Sequence, residues 1–157
     1  MKSRVASEKD KKEILELVKL SDNEDIKNLK NWWKAIEYYA SVAKNITTTL
    51  VYLNDEKKII GFIYYLHKKN KNVIKLYAIG NLSSGKEKGV GSIMMKELLY
   101  YASFIKCPYI EFDSDKRFSG YNFFTKKMGY KPTSKKDETH DYFKVYLNHE
   151  QKQLPSA

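Results

Sequence analysis

The run Val73-Ile-Lys-Leu-Tyr-Ala-Ile-Gly-Asn-Leu-Ser-Ser-Gly-Lys-Glu-Lys-Gly-Val-Gly-Ser92 decides how this chain folds. Its opening, Val73–Ile79, is rich in β-branched, aliphatic and aromatic residues and predicts a strand. A polar loop follows, then Lys86-Glu-Lys-Gly89-Val-Gly91, then a stripe of Val90, Met94, Leu98, Tyr101 and Ile105 at helical spacing. A strand feeding a glycine turn at a helix N-terminus builds an anion site. The first backbone N–H groups of a helix have no partner within it, and the helix dipole is positive at that end. Glycines at 89 and 91 let the backbone approach a phosphate closely, and Lys86 and Lys88 add positive charge. By themselves the two glycines complete neither a dinucleotide-binding G-x-G-x-x-G nor a P-loop G-x-x-x-x-G-K-[ST].

Upstream, Thr48–Asn54 and Ile59–Lys68 read as two more strands. The short polar breaks Asp55-Glu-Lys-Lys58 and Asn70-Lys-Asn72 predict antiparallel hairpins. Residues 2–6 suit a short strand. Ser7 followed by Asp10 resembles a helix N-cap with an acid in the first turn, ahead of the stripe Ile14, Leu17 and Val18. A single helix is expected from about Glu24 to Ala43, on Ile26, Leu29, Trp33, Ile36 and Ala40. Downstream, Pro108 stops the long helix. Tyr109–Asp113 then reads as a buried strand, Gly120–Met128 as a helix closed by Gly129, and Tyr142–Leu147 as the last strand, with a short one near Tyr130. The order predicts an α/β domain whose mixed sheet is mostly antiparallel. Residues 1–149 are expected to form one domain and 150–157 a flexible tail.

Composition narrows the classes. At 157 residues the chain can bury a core without staples. One cysteine, Cys107, excludes an internal disulfide and fits a reducing compartment. No segment approaches the roughly 20 apolar residues of a membrane span, and the opening MKSRVASEKDKKE lacks an apolar signal core. A cytoplasmic protein with no membrane partner is expected. Lys and Arg total 29 against 19 acids, a net charge of +10, which attracts polyanions. Only Arg4 and Arg117 are arginines, so the forked donor suited to specific nucleic-acid readout is scarce. Nucleic acid stays a partner that the charge allows and the residue types do not favour.

The motifs carry a resemblance. Lys86-x-x-Gly89-x-Gly91 resembles the [RQ]-x-x-G-x-[GA] pyrophosphate loop of the GNAT superfamily of N-acetyltransferases, with Lys for the usual Arg or Gln. Phe124-Thr-Lys-Lys-Met-Gly129-Tyr130 is similar to that family's F-Y-x-K-x-G-[FY] segment, and the stretch from Arg4 looks like its first strand and helix. The resemblance spans nearly the whole chain in the right order. It implies a GNAT-like α/β fold with a splayed sheet that wedges acetyl-CoA, a co-substrate, between the fourth and fifth strands. It also implies transfer of an acetyl group to an amine by direct attack on the thioester, with no metal. The pantetheine would pair with backbone at Tyr77, Ala78 and Ile79. The pyrophosphate would rest on Lys86, Glu87, Lys88, Gly89, Val90, Gly91 and Ser92, with Lys126 and its neighbour Lys127 near the phosphates or ribose.

The sequence also departs from the family. The frequent tyrosine that protonates the leaving thiolate falls at Thr125, with Tyr121 one turn upstream, about 6 Å along the axis. Because helical side chains lean toward the N-terminus, Tyr121 is expected to point away from the space a tyrosine at 125 would fill. The fourth strand lacks the glutamate many relatives keep, so Glu111 and Asp113, alternating onto one face of the next strand with Asp115 beyond, become the candidate bases. Trp33 reads as core, with Trp32 and Tyr39 beside it as stacking or packing groups. His67, His140 and His149 show neither metal spacing nor a nucleophile partner. Two further readings stand beside acetylation of a small molecule, peptide or protein: an acceptor on nucleic acid, and a CoA-binding module without catalysis. The acceptor and the oligomeric state, homodimer included, are left open.

Overall fold

A computed structural model describes residues 2–20, 24–81, 89–134 and 137–147. Six strands form one sheet in the order β1-β2-β3-β4-β5-β6: β1 Lys2–Val5, β2 Ile46–Leu53, β3 Ile59–Lys68, β4 Val73–Asn81, β5 Tyr109–Asp115 and β6 His140–Tyr146. All neighbours are antiparallel except β4 and β5. On one face lie α1 (Glu8–Val18), α2 (Glu24–Lys27) and α3 (Leu29–Val42), burying Ile14, Leu29 and Trp33 against Val51, Phe62, Tyr64 and Ala78. On the other, α4 (Val90–Phe104) buries Met94, Met95 and Leu98 against Ile63, Ile74, Ile110 and Phe112. Because β3 is covered on both faces, Ile59–Leu66 is buried throughout and reads as an unbroken apolar run rather than an alternation.

The hairpin strands match the expected ones closely. Three expectations differ. The single helix expected over Glu24–Ala43 breaks at Asn28 into α2 and α3. The helix expected over Gly120–Met128 is α5, Ser119–Asn122, continued as a π-helical turn over Phe123–Lys127 in which the Met128 N–H donates to the Phe123 carbonyl at 2.9 Å. The segment near Tyr130 forms no strand, although the Thr133 N–H donates to the Tyr142 carbonyl at 2.7 Å. The tail 150–157 lies outside the described residues, as does the Trp32 side chain.

The predicted N-cap of α1 is present and is tied to β1. The Ser7 N–H donates to Asp10 Oδ2 at 2.6 Å, and the Arg4 guanidinium grips the same carboxylate through 2.6 and 3.0 Å bonds. Arg4, above all, with Ser7, holds the Asp10 carboxyl well below the usual carboxylate range. A depressed pKa stabilises the fold above the unfolded value, about 3.9, and that contribution is lost as pH falls from there toward the folded value. Asp10→Asn is therefore expected to lower the melting temperature most near neutrality, with the gap to wild type closing below about pH 4. A gap that stays constant down to pH 2 would show the charge to be irrelevant.

Candidate active site

The site begins where the sheet comes apart. Strands β4 and β5 run parallel and pair only at Ile74↔Ile110 and Lys75↔Glu111. Beyond that, β4 stays with β3 and β5 stays with β6, so Leu76–Asn81 and Phe112–Asp115 diverge. A bulge helps to separate them. Tyr64 faces Ala78 and Tyr65 faces Leu76, leaving Tyr77 as the extra residue, and such insertions bend and twist the strand that carries them. The opening is a cleft of about 660 Å³ whose walls include Tyr77, Ala78 and Ile79 on one side and Phe112 to Asp115 on the other.

The N-terminus of α4 stands at the mouth of this cleft. Gly89 is its N-cap, with φ +85°, a left-handed conformation that favours glycine. A Cβ at Gly91 would come within 3.0 Å of both Asn81 Nδ2 and Phe123 Cε1, so the end of β4, the start of α4 and the π-helical turn converge on a position with no room for a side chain. Val90 is in the core and Ser92 half-buried, so what this stretch can present to an anion is chiefly backbone N–H. Lys86, Glu87 and Lys88 lie outside the described residues.

The other candidates separate on inspection. Asp113 lines the cleft, its side chain 43% exposed. Glu111 does not: it sits at the closed end of the fork, ion-paired with Lys68. Asp115 lines the cleft but its carboxylate is bound by Arg117 through Nε at 3.0 Å, Nη2 at 2.7 Å and the backbone N–H at 2.9 Å. Those hydrogen bonds hold its carboxyl down to about 2, an anion at any pH the protein meets. Lys126 is exposed and does not line the cleft, whereas its neighbour Lys127 does. The π-helical turn also brings Phe123 to the wall.

Neither candidate acid reaches the cleft. The Tyr121 hydroxyl donates to the buried carboxylate of Asp141 at 2.6 Å, and that bond raises its pKa. The Thr125 hydroxyl donates to the Tyr121 carbonyl at 2.8 Å. Tyr121 thus points away, as helix geometry predicts, toward Phe143 on β6. Tyr121→Phe and Thr125→Val are each expected to lower kcat less than tenfold, because neither hydroxyl meets the cleft, and for Thr125→Val the neutral hydrogen bond lost is worth only about 0.5–1.5 kcal/mol. A hundredfold loss in Tyr121→Phe, measured as kcat for any acetyl acceptor, would mean that the tyrosine turns inward during turnover.

One group set aside in the sequence does line the cleft. His140, the first residue of β6, lies opposite Asp115 in the antiparallel register, so its ring falls on the face that carries Asp113 and Asp115. Its Nε2 is 4.0 Å from Asp113 and 3.8 Å from Asp115. Only the strand register makes this pairing visible, since the partners lie far apart in the sequence. Cys107, by contrast, is fully buried beside Asn72, and burial pushes its thiol pKa up, which suits a packed residue. Among the described residues no cluster of three His, Cys, Asp or Glu could hold a metal ion, and no helix is long and apolar enough to cross a membrane.

No family model matches the sequence, and no curated protein matches it. Solved structures do. An acetyltransferase of the GNAT family from Staphylococcus aureus superposes with a TM-score of 0.63 at 14% identity, over 91% of this chain and 98% of its own. The PaiA N-acetyltransferase from Thermoplasma acidophilum, solved in complex with coenzyme A, superposes with a TM-score of 0.69 at 15% identity, over 94% and 100%. The aminoglycoside 6'-N-acetyltransferase from Enterococcus faecium gives a TM-score of 0.63 at 12% identity, over 93% and 97%. At these identities the likeness is one of fold.

Proposed function

We propose that this chain, whose fold is that of the GNAT acetyltransferases, moves an acetyl group from acetyl-CoA to a primary amine of a small molecule, peptide or protein. The observation that carries the reading is the fork between β4 and β5 with the glycine-capped end of α4 at its mouth. A pantetheine arm needs an extended strand edge to pair with, and the diverging edge from Tyr77 to Ile79 offers one. A pyrophosphate needs unpaired N–H groups, and the turn from Gly89 to Ser92 supplies them. The thioester then lies within the fork, and an amine entering beside Asp113 attacks its carbonyl carbon directly. A thiol like that of CoA, with a pKa near about 8.5, is a tolerable leaving group near neutrality, so the absence of a tyrosine at Thr125 does not stop the transfer.

The test is release of free thiol from acetyl-CoA, with and without added amines, alongside the acetyl-CoA-dependent melting temperature. Stabilisation without amine-dependent thiol release would support a binding module instead. The charge of +10 keeps a nucleic-acid acceptor in the test. Binding to DNA or RNA is expected to be weak and to vanish near physiological salt, as counterion release dictates, and tight binding there would favour that acceptor.

A further inference from the structure

A transferase of this kind must take a proton from the attacking nitrogen. Glu111 is paired with Lys68 and Asp115 is bound by Arg117, which leaves Asp113 and the His140 ring, 4.0 Å apart on the cleft wall. Of these two groups an imidazole is the better-matched base near neutrality. We propose that His140 is the general base, its Nε2 receiving the proton as the C–N bond forms. This rests on the reading of the fold as an acetyl-CoA-dependent transferase.

Four observations support it. The ring lines the cleft and is largely but not wholly buried, 23% exposed, so it is held in place yet reachable. Its Nδ1 lies 2.7 Å from Thr139 Oγ1, and that hydroxyl is 3.4 Å from Asp137 Oδ1. Asp137 also accepts the backbone N–H groups of Thr139 at 2.9 Å and His140 at 2.7 Å, which keeps it an anion and an acceptor only. In the Nδ1–H tautomer, donation runs from the ring to the Thr139 hydroxyl and on to the Asp137 carboxylate, and Nε2 carries the lone pair that a base requires. Finally, Nε2 faces Asp113 and Asp115 at about 4 Å, so the imidazolium formed during the reaction meets two carboxylates, with Arg117 behind one and Lys127 elsewhere on the cleft wall.

The proton balance closes. The neutral amine attacks the thioester carbon, one N–H proton passes to Nε2, and the C–S electron pair leaves on sulfur. The imidazolium then gives its proton to that sulfur, so amine and thioester become amide and thiol with no further reactant. One imidazole serves as base and then acid, which is how the site works without a tyrosine at 125. Thr139 and Asp137 are positioning residues that set the tautomer.

Two measurements on the full chain test this. The first is kcat for acetyl transfer to a simple alkylamine, a lysine-containing peptide and a polyamine, with the acetyl-CoA-induced rise in melting temperature as the check on folding and binding. His140→Gln is expected to keep that rise and lose about a hundredfold or more in kcat, the usual contribution of a general base. The second is the long-range proton–nitrogen NMR spectrum of the imidazole. The neutral ring of His140 should be the Nδ1–H tautomer in the wild type and change in Thr139→Val. A His140→Gln enzyme within fivefold of wild type, or a wild-type ring in the Nε2–H tautomer, overturns the assignment. A wild type that transfers acetyl to none of these amines overturns the transferase reading, and this one with it.

Discussion

Gly89→Val is expected to abolish the rise in melting temperature that acetyl-CoA gives the wild-type protein. A ligand that binds only the folded state stabilises it by mass action, by about 2.7 kcal/mol at a hundred times its Kd, or several degrees for a domain of this size. The argument lies in the backbone. Gly89 holds φ at +85° at the N-cap of α4, where a β-branched residue is a strong outlier. Valine there must either bear a strain of about 1–3 kcal/mol or rotate the turn, and rotation re-aims the N–H groups that a pyrophosphate would need. Among the described residues no atom beyond its own turn lies within 4 Å of where its Cβ would fall, so no clash with them forbids folding. The loss should therefore fall mainly on the ligand response. Retention of the full shift would remove this turn from the binding site, and no shift in the wild type at millimolar acetyl-CoA would remove CoA itself.

Phe112→Ala is expected to cost about 3–5 kcal/mol of stability, the range for truncating a buried aromatic, and to lower the melting temperature by on the order of 10 °C. Phe112 stacks on Phe143 at 4.9 Å with an 11° interplanar angle and meets Phe124 at 4.4 Å and Tyr130 at 6.2 Å. These rings tie β5 to β6 and to the π-helical turn, which together form one wall of the cleft. Removing the central ring leaves a cavity that the wall can fill only by shifting inward, so acetyl-CoA affinity should fall as well. Chemical denaturation of the variant checks the first effect and calorimetry the second. A loss below 1 kcal/mol would mean that the wall repacks freely and does not depend on this cluster.

The strands of the central hairpins were legible because each alternates or saturates with β-branched and aromatic residues between tight polar turns. Ile59–Lys68 could be read to the residue for this reason. The break at Asn28 and the π-helical turn over Phe123–Lys127 were not, since apolar residues every three or four positions continue across both. Local periodicity does not report a change in hydrogen-bond register. Of that turn, Phe123 and Lys127 line the cleft and Thr125 and Lys126 do not.

By itself, the sequence determined the six strands and the glycine turn, because a strand's residue pattern and a positive φ depend on residues within a few positions of one another. It also determined that Glu111, Asp113 and Asp115 share a face, which follows from the two-residue period of any strand. Only the tertiary structure decided which of them meets the cleft. That depended on where β4 parts from β5 and on Lys68 reaching Glu111 across 43 residues. It likewise brought His140 to those carboxylates, because pairing between strands sets neighbours by register, and register is fixed by the packing of the whole sheet rather than by any local pattern.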